Sequence, residues 1–124
     1  MSGPRVLVVE DEAALVRILR RTLERKFSVE VDSAADGQQG LAFATDTPYD
    51  LILSDIRMPQ MDGISMVERI RQGAGPNRST PVVLLTGHHE EGKAAAEALD
   101  ARFMGKPFSR QALFEMVGDL LAAS

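Results

Sequence analysis

Cysteine is absent from these 124 residues, which excludes disulfides and thiolate metal sites and fits a reducing compartment, the cytoplasm by default. No apolar run approaches the roughly 20 residues that span a bilayer. The opening Met-Ser-Gly-Pro also lacks the charged and apolar pattern of a secretion signal, so an untargeted, soluble chain without membrane insertion is expected. Basic stripes are missing too: 14 Lys and Arg are mixed among 18 Asp and Glu, for a net charge of −4. Without a cationic patch interleaved with aromatics, direct nucleic-acid binding is not expected. There is no linker, repeat or low-complexity tract, and 44% hydrophobic content over this length fits one domain, 1–124, around a single core.

What is present is an alternation of strand-like and helical periodicity. Val6 to Val9 reads as a buried strand. Leu15, Ile18, Leu19 and Leu23 then recur at helical spacing, with Asp11 placed as the helix cap and Arg20, Arg21, Arg25 and Lys26 near the C-terminal end, where cations suit the macrodipole. Phe27, Val29 and Val31 alternate with polar residues as an edge strand does, and Asp36-Gly37 opens a short helix. Leu51-Ile52-Leu53 is a second buried run, followed by a helix marked by Ile64, Val67 and Ile70 that ends in the loop Gly73-Ala74-Gly75-Pro76-Asn77. Val82 to Leu85 is a third. The helix after it, at about Glu90 to Asp100, is alanine-rich with Leu99 its only large aliphatic, so it is expected to pack weakly. A last strand ends at Gly105, and Leu113, Val117, Leu120 and Leu121 define a final helix capped by Ser109. Strict βα alternation over five units implies a parallel sheet covered on both faces, a three-layer α/β/α sandwich, since a barrel needs eight units.

The apolar runs stop at chemically useful residues: Glu10-Asp11, Asp55, Thr86 and Lys106-Pro107. If those strands are parallel neighbours about 4.8 Å apart, their carboxyl ends bring three acids, a hydroxyl and an ammonium into the crevice where open α/β sheets bind ligands. Three close carboxylates repel unless a cation joins them. Mg²⁺ fits, since it prefers oxygen ligands and combines one or two carboxylates with phosphate oxygens. Plainer roles stand beside these: Asp11 as a helix cap, Glu10 as a loop acid, Lys106 as a surface cation. Asp55 is harder to place structurally, having neither a helix start nor an ion-pair partner in its immediate sequence.

Through Val8-Val9-Glu10-Asp11-Glu12, Asp55-Ile56-Arg57-Met58-Pro59-Gln60-Met61-Asp62-Gly63, Leu85-Thr86-Gly87 and Lys106-Pro107-Phe108, the whole chain resembles the receiver domain of two-component response regulators. The resemblance implies a doubly wound, flavodoxin-like sheet of order 2-1-3-4-5. It implies that Asp55 accepts a phosphoryl group from the phosphohistidine of a sensor histidine kinase or phosphotransfer protein. Asp11, Asp55 and the backbone carbonyl of Arg57 would hold Mg²⁺, with Glu10 near the ion directly or through water. Lys106 would grip the phosphoryl oxygens, aimed inward by a cis bond before Pro107. Thr86 would move to the phosphate and Phe103 turn into the space left, remodelling a face for an unknown downstream protein. Phe103 replaces a frequent tyrosine, and a plain core aromatic is its simpler role. Met58, Met61 and Met66 read as adaptable filler.

The stretch from Thr86 to Lys106 is shorter than the family usually shows, and its weakly apolar helix is expected to be short, shifted or partly unfolded before phosphorylation. Arg57 and His88, each two residues beyond a site residue, are candidate modulators of phosphate lifetime, with solvated surface as the alternative. The chain stops at Ser124 after the last helix, which suggests either a single-domain regulator or a receiver cut from a longer protein, monomeric or weakly dimeric. Apart from promoting its own phosphorylation and dephosphorylation, no conventional enzyme is expected. The rivals are a degenerate receiver that binds partners without phosphate, an aspartyl-phosphate phosphatase, whose usual second acid would stand where Arg57 is, and a flavodoxin-like cofactor binder.

Overall fold

A computed structural model describes residues 3–123, so the readings made on the first two residues and on Ser124 lie outside the described part. Five strands and five helices alternate: β1 (Arg5–Val9), α1 (Ala13–Phe27), β2 (Glu30–Ala34), α2 (Gly37–Asp46), β3 (Leu51–Asp55), α3 (Gly63–Gln72), β4 (Val82–Thr86), α4 (His89–Leu99), β5 (Arg102–Gly105) and α5 (Arg110–Ala122). All strand pairs are parallel, in the order β2-β1-β3-β4-β5. β3 and β4 lie inside the sheet and are buried at every residue, which is why each opens on an unbroken apolar run, Leu51 to Leu53 and Val82 to Leu85.

Side chains alternate across the strands and create two cores. On one face Val6, Val8, Leu51, Leu53, Val83 and Leu85 meet Leu19 and Leu23 of α1 and Leu113, Val117 and Leu120 of α5. On the other, Leu7, Val9, Ile52, Val82 and Leu84 meet Ala44 of α2, Met66, Val67 and Ile70 of α3 and Ala95 of α4.

Four expectations need correction. Asp11 does not cap α1: the N-cap is Glu12, which makes no side-chain cap bond, while its own N–H donates to Glu10 Oε2 at 3.1 Å. Ile18 is 62% exposed, because the inward stripe of α1 runs through Leu15, Leu19, Leu23 and Phe27 at intervals of four. Phe27 is therefore the last residue of α1 rather than the start of an edge strand; its ring meets Phe114 edge-on at 5.9 Å, and the edge strand β2 begins at Glu30. Finally, α4 is not short. It spans 11 residues, one more than α2 or α3, with Gly92, Ala95 and Ala96 buried.

Two features make up for the small side chains of α4. Small residues allow close approach: a Cβ on Gly92 would fall 2.6 Å from Thr86 Cγ2 and 3.1 Å from Phe103 Cδ2. The C-terminal end is held by Arg71 of α3, whose Nε donates to Leu99 O at 2.9 Å and whose Nη2 donates to Asp100 O at 3.2 Å. Its Nη1 donates to Arg78 O and Thr80 O at 3.0 and 2.8 Å, so one guanidinium ties the end of α4 to the lead-in of β4. Carbonyls that a helix end leaves without intrahelical partners are thereby satisfied. Burial depresses the pKa of Arg71, but a guanidinium stays charged.

Candidate functional site

Strand register alone brings the acids together. Val9 pairs with Ser54, so Glu10 and Asp55, each one residue further on, leave adjacent strands at the same level. Asp55 pairs with Leu85 and Thr86 with Gly105, so Thr86 and Lys106 follow at the next step along the same sheet end. The backbone N–H of Lys106 donates to Thr86 O, continuing the ladder by one bond.

Lys106 Nζ lies 3.3 Å from Glu10 Oε1 and 3.2 Å from Asp55 Oδ2, bridging two acids from different strands. Glu10 is 2% exposed and Asp55 9%. The second oxygen of each is held by backbone: Glu12 N–H on Glu10, and Ile56 N–H on Asp55 Oδ1 at 2.8 Å. Asp11, exposed, completes a group in which one carboxylate oxygen from each of Glu10, Asp11 and Asp55 lies within 4.8 Å of the others. At formal charge, three carboxylates and one ammonium leave two negative charges uncompensated. An all-oxygen donor set with that deficit suits one hard divalent cation.

The crowding shows in the titration of Glu10 and Lys106. Burial, and then the Asp55 charge, hold the Glu10 carboxyl above its ordinary range against the opposing pull of the Glu12 N–H and Lys106. Lys106 is disfavoured as a cation by burial, but its hydrogen bond and charge contacts with Asp55 and Glu10 outweigh this and raise its pKa. A carboxyl raised in the folded state supports the fold below its unfolded pKa and loses that support as pH rises through the folded value. Ionisation of Glu10 is thus a burden on the ion-free fold. Glu10→Gln is expected to melt higher than wild type at pH 7 without divalent ions, and the difference is expected to vanish below about pH 4; thermal melts across pH check this, and a variant less stable at pH 7 would count against it.

Thr86 is buried beside the cluster, its Oγ1 accepting from His88 N–H at 2.9 Å and facing His88 O at 3.3 Å. His88 enters this arrangement through its backbone, as the N-cap of α4. Phe103 of β5 is half-buried and meets the His89 ring edge-on at 4.9 Å. Arg57 is turned to α4, its Nη2 at 3.2 and 3.3 Å from the two carboxylate oxygens of Glu91. The Lys106–Pro107 peptide is cis. Sequence reasoning missed the partners Glu91 and Glu12, and the role of Gly63, whose Cα closes directly over the end of β3: a Cβ there would lie 2.1 Å from Asp55 O.

A doubly wound parallel sheet with paired acids, a hydroxyl and a lysine at its carboxyl end is an arrangement of a small α/β domain that can hold a phosphate and a cation. The model of the response regulator receiver domain matches residues 6–118, and the chain belongs to that family, the receivers of two-component systems. It is 37% identical over 119 residues to the transcriptional regulatory protein ResD of Bacillus subtilis, covering 94% of this chain and 48% of that protein. It thus spans about half the length of the curated relatives it matches. Among solved structures, the chemotaxis response regulator CheY4 of Vibrio cholerae superposes with a TM-score of 0.85 at 31% identity, over 94% of this chain and 98% of that one. The receiver domain of a Pseudomonas aeruginosa sensor histidine kinase, solved with a magnesium ion coordinated in its active-site cleft, gives 0.84 at 29% identity, over 97% and 98%. No helix among the described residues is long and apolar enough to cross a membrane.

Proposed function

We propose that residues 1–124 form a single phosphoryl-accepting switch in which Asp55 takes the phosphoryl group of a partner's phosphohistidine, on a sensor kinase or a phosphotransfer protein. One observation carries this reading: Asp55 ends β3 with one oxygen 3.2 Å from Lys106 Nζ, inside a three-carboxylate cluster with excess negative charge. An Asp55 oxygen forms the new bond to phosphorus as the phosphorus–nitrogen bond of the donor breaks, and the departing imidazole keeps the electron pair and takes up a proton. Hydrolysis, by water attacking phosphorus, returns the carboxylate and inorganic phosphate.

Glu10, Asp11 and Asp55, with the carbonyl of Arg57, are the residues that would hold Mg²⁺. Held there, Mg²⁺ would supply charge neutralisation on the phosphoryl oxygens. Lys106 holds one phosphoryl oxygen, trading its present contact with Asp55 for it, and Glu10 keeps the ammonium aimed at the site. Thr86 is the hydroxyl that turns to the new phosphate. Its methyl and the Phe103 ring are neighbours across Gly92, so movement of one opens space for the other. The output is then a changed α4–β5 surface for a downstream protein, in the chain's cytoplasmic setting.

Intact mass after acetyl phosphate and Mg²⁺ tests the reading. One phosphoryl group is expected on wild type, none on Asp55→Asn and none when the ion is chelated; an adduct that survives Asp55→Asn, or none on the folded wild type, would overturn it.

A further inference from the structure

The first turn of α4 is restrained from two sides by groups that flank Asp55. Thr86 Oγ1 engages the backbone of His88 at the N-cap, and Arg57 engages Glu91, the third residue of the helix. Arg57 stands two residues past Asp55, so their Cα atoms are at most about 7 Å apart along the chain. Its side chain is 66% exposed and that of Glu91 35%, so the pair sits in water and is weak. Weakness suits a contact that must be exchanged. A carboxylate offers the guanidinium one negative charge, whereas an aspartyl phosphate offers up to two and three acceptor oxygens.

We propose that Glu91 is a positioning residue for the phosphoryl chemistry of Asp55, acting through Arg57. In the resting chain Glu91 draws the guanidinium onto α4, which pins the first turn of the helix and keeps Arg57 off the phosphoryl site. In the phosphorylated chain Arg57 leaves Glu91 for a phosphoryl oxygen, where it shields phosphorus from water, and α4 loses its tether. Because the two partners compete for one guanidinium, the coupling is reciprocal: whatever weakens the hold of Glu91 strengthens that of the phosphate. The phosphoryl half of this proposal rests on the function proposed above; the ion-pair half does not.

The test uses the full chain with Arg57→Gln, Glu91→Gln and both together. In unmodified protein, amide hydrogen exchange over the first turns of α4 is expected to quicken roughly two- to five-fold in each single variant, as an exposed pair of this kind allows. The double variant should exchange no faster than Glu91→Gln alone. After acetyl phosphate and Mg²⁺, wild-type exchange in that segment should rise at least to the level of the single variants, since Thr86 also leaves His88. The adduct lifetime, followed by intact mass once the donor is removed, should lengthen roughly two- to five-fold in Glu91→Gln, and the same substitution made on Arg57→Gln should leave it unchanged. Exchange unaltered in both single variants, effects that simply multiply in the double, or a Glu91 effect on lifetime that persists without Arg57 would each overturn the proposal. A wild type that forms no adduct removes the phosphoryl half, while the exchange measurement, made on unmodified chain, still decides the ion pair.

Discussion

Asn77→Ala is expected to be among the most damaging single substitutions in this chain, costing about 3–5 kcal/mol of stability. Asn77 is 1% exposed, and all the capacity of its amide is used. Nδ2 donates to Ala44 O at 2.6 Å and Thr47 O at 2.7 Å, and Oδ1 accepts from Tyr49 N–H at 2.8 Å and Thr80 Oγ1 at 2.9 Å. One side chain thus joins the end of α2, the α2–β3 connection and the approach to β4. Alanine leaves the Ala44 carbonyl and the Tyr49 N–H buried without partners, and the part-buried Thr47 carbonyl without one, each buried loss worth about 1–3 kcal/mol. Against a total stability of about 5–15 kcal/mol, that is a large share. Asn77→Asp should be nearly as harmful, since a carboxylate accepts from Tyr49 but donates to neither carbonyl. Urea melts check both, and a loss below about 1 kcal/mol for alanine would show that water takes over the amide's bonds.

Gly63→Ala is expected to harm the chemistry more than the fold. Gly63 donates its N–H to Ile56 O at 2.8 Å, folding the loop after β3 back onto the strand end, with Gln60 in the left-handed region at φ 68°. A methyl group would meet backbone Asp55 O at 2.1 Å and Ser54 Oγ at 3.0 Å, and the first of these cannot rotate away. Either the loop lifts or the end of β3 shifts. The stability cost is about 1–3 kcal/mol. A displacement of Asp55 by about 1 Å relative to Lys106 is enough to cost roughly 10²-fold in rate. Phosphorylation by acetyl phosphate, timed by intact mass, should therefore slow far more than the urea midpoint drops; a normal rate with a lowered midpoint would show that the loop, not the strand, absorbs the strain.

The layers, the strands that carry the acids and the convergence of Glu10, Asp55, Thr86 and Lys106 are legible in sequence because each is a local pattern: an apolar run, then a polar residue where the run stops. What escaped is long-range. Asn77 is 28 residues from Tyr49 and 33 from Ala44, so in a glycine-rich loop it reads as an ordinary turn residue. The completeness of α4 depends on Arg71, 28 residues from Leu99 and indistinguishable in sequence from the other arginines of α3 and the loop after it. Asp11 has the right chemistry for a helix cap, but it stands one residue too early, and its carboxylate lies with Glu10 and Asp55 instead. The periodicity of α1 is real, yet Leu19 and Ile18 are neighbours in sequence and a helix turns about 100° between them, enough to put one in the core and the other in water.

The two cores on opposite faces of the sheet share no side chain. Leu23 on the α1 side and Val67 on the α3 side are separated by a full layer of backbone, so truncating both should cost the sum of the single losses within about 0.5 kcal/mol. The sheet then serves as an insulator. The side built from α1 and α5 can drift in sequence, or be redesigned, without retuning the α3–α4 side next to Thr86, Phe103 and Glu91, and the domain's evolvability is divided along the plane of its strands.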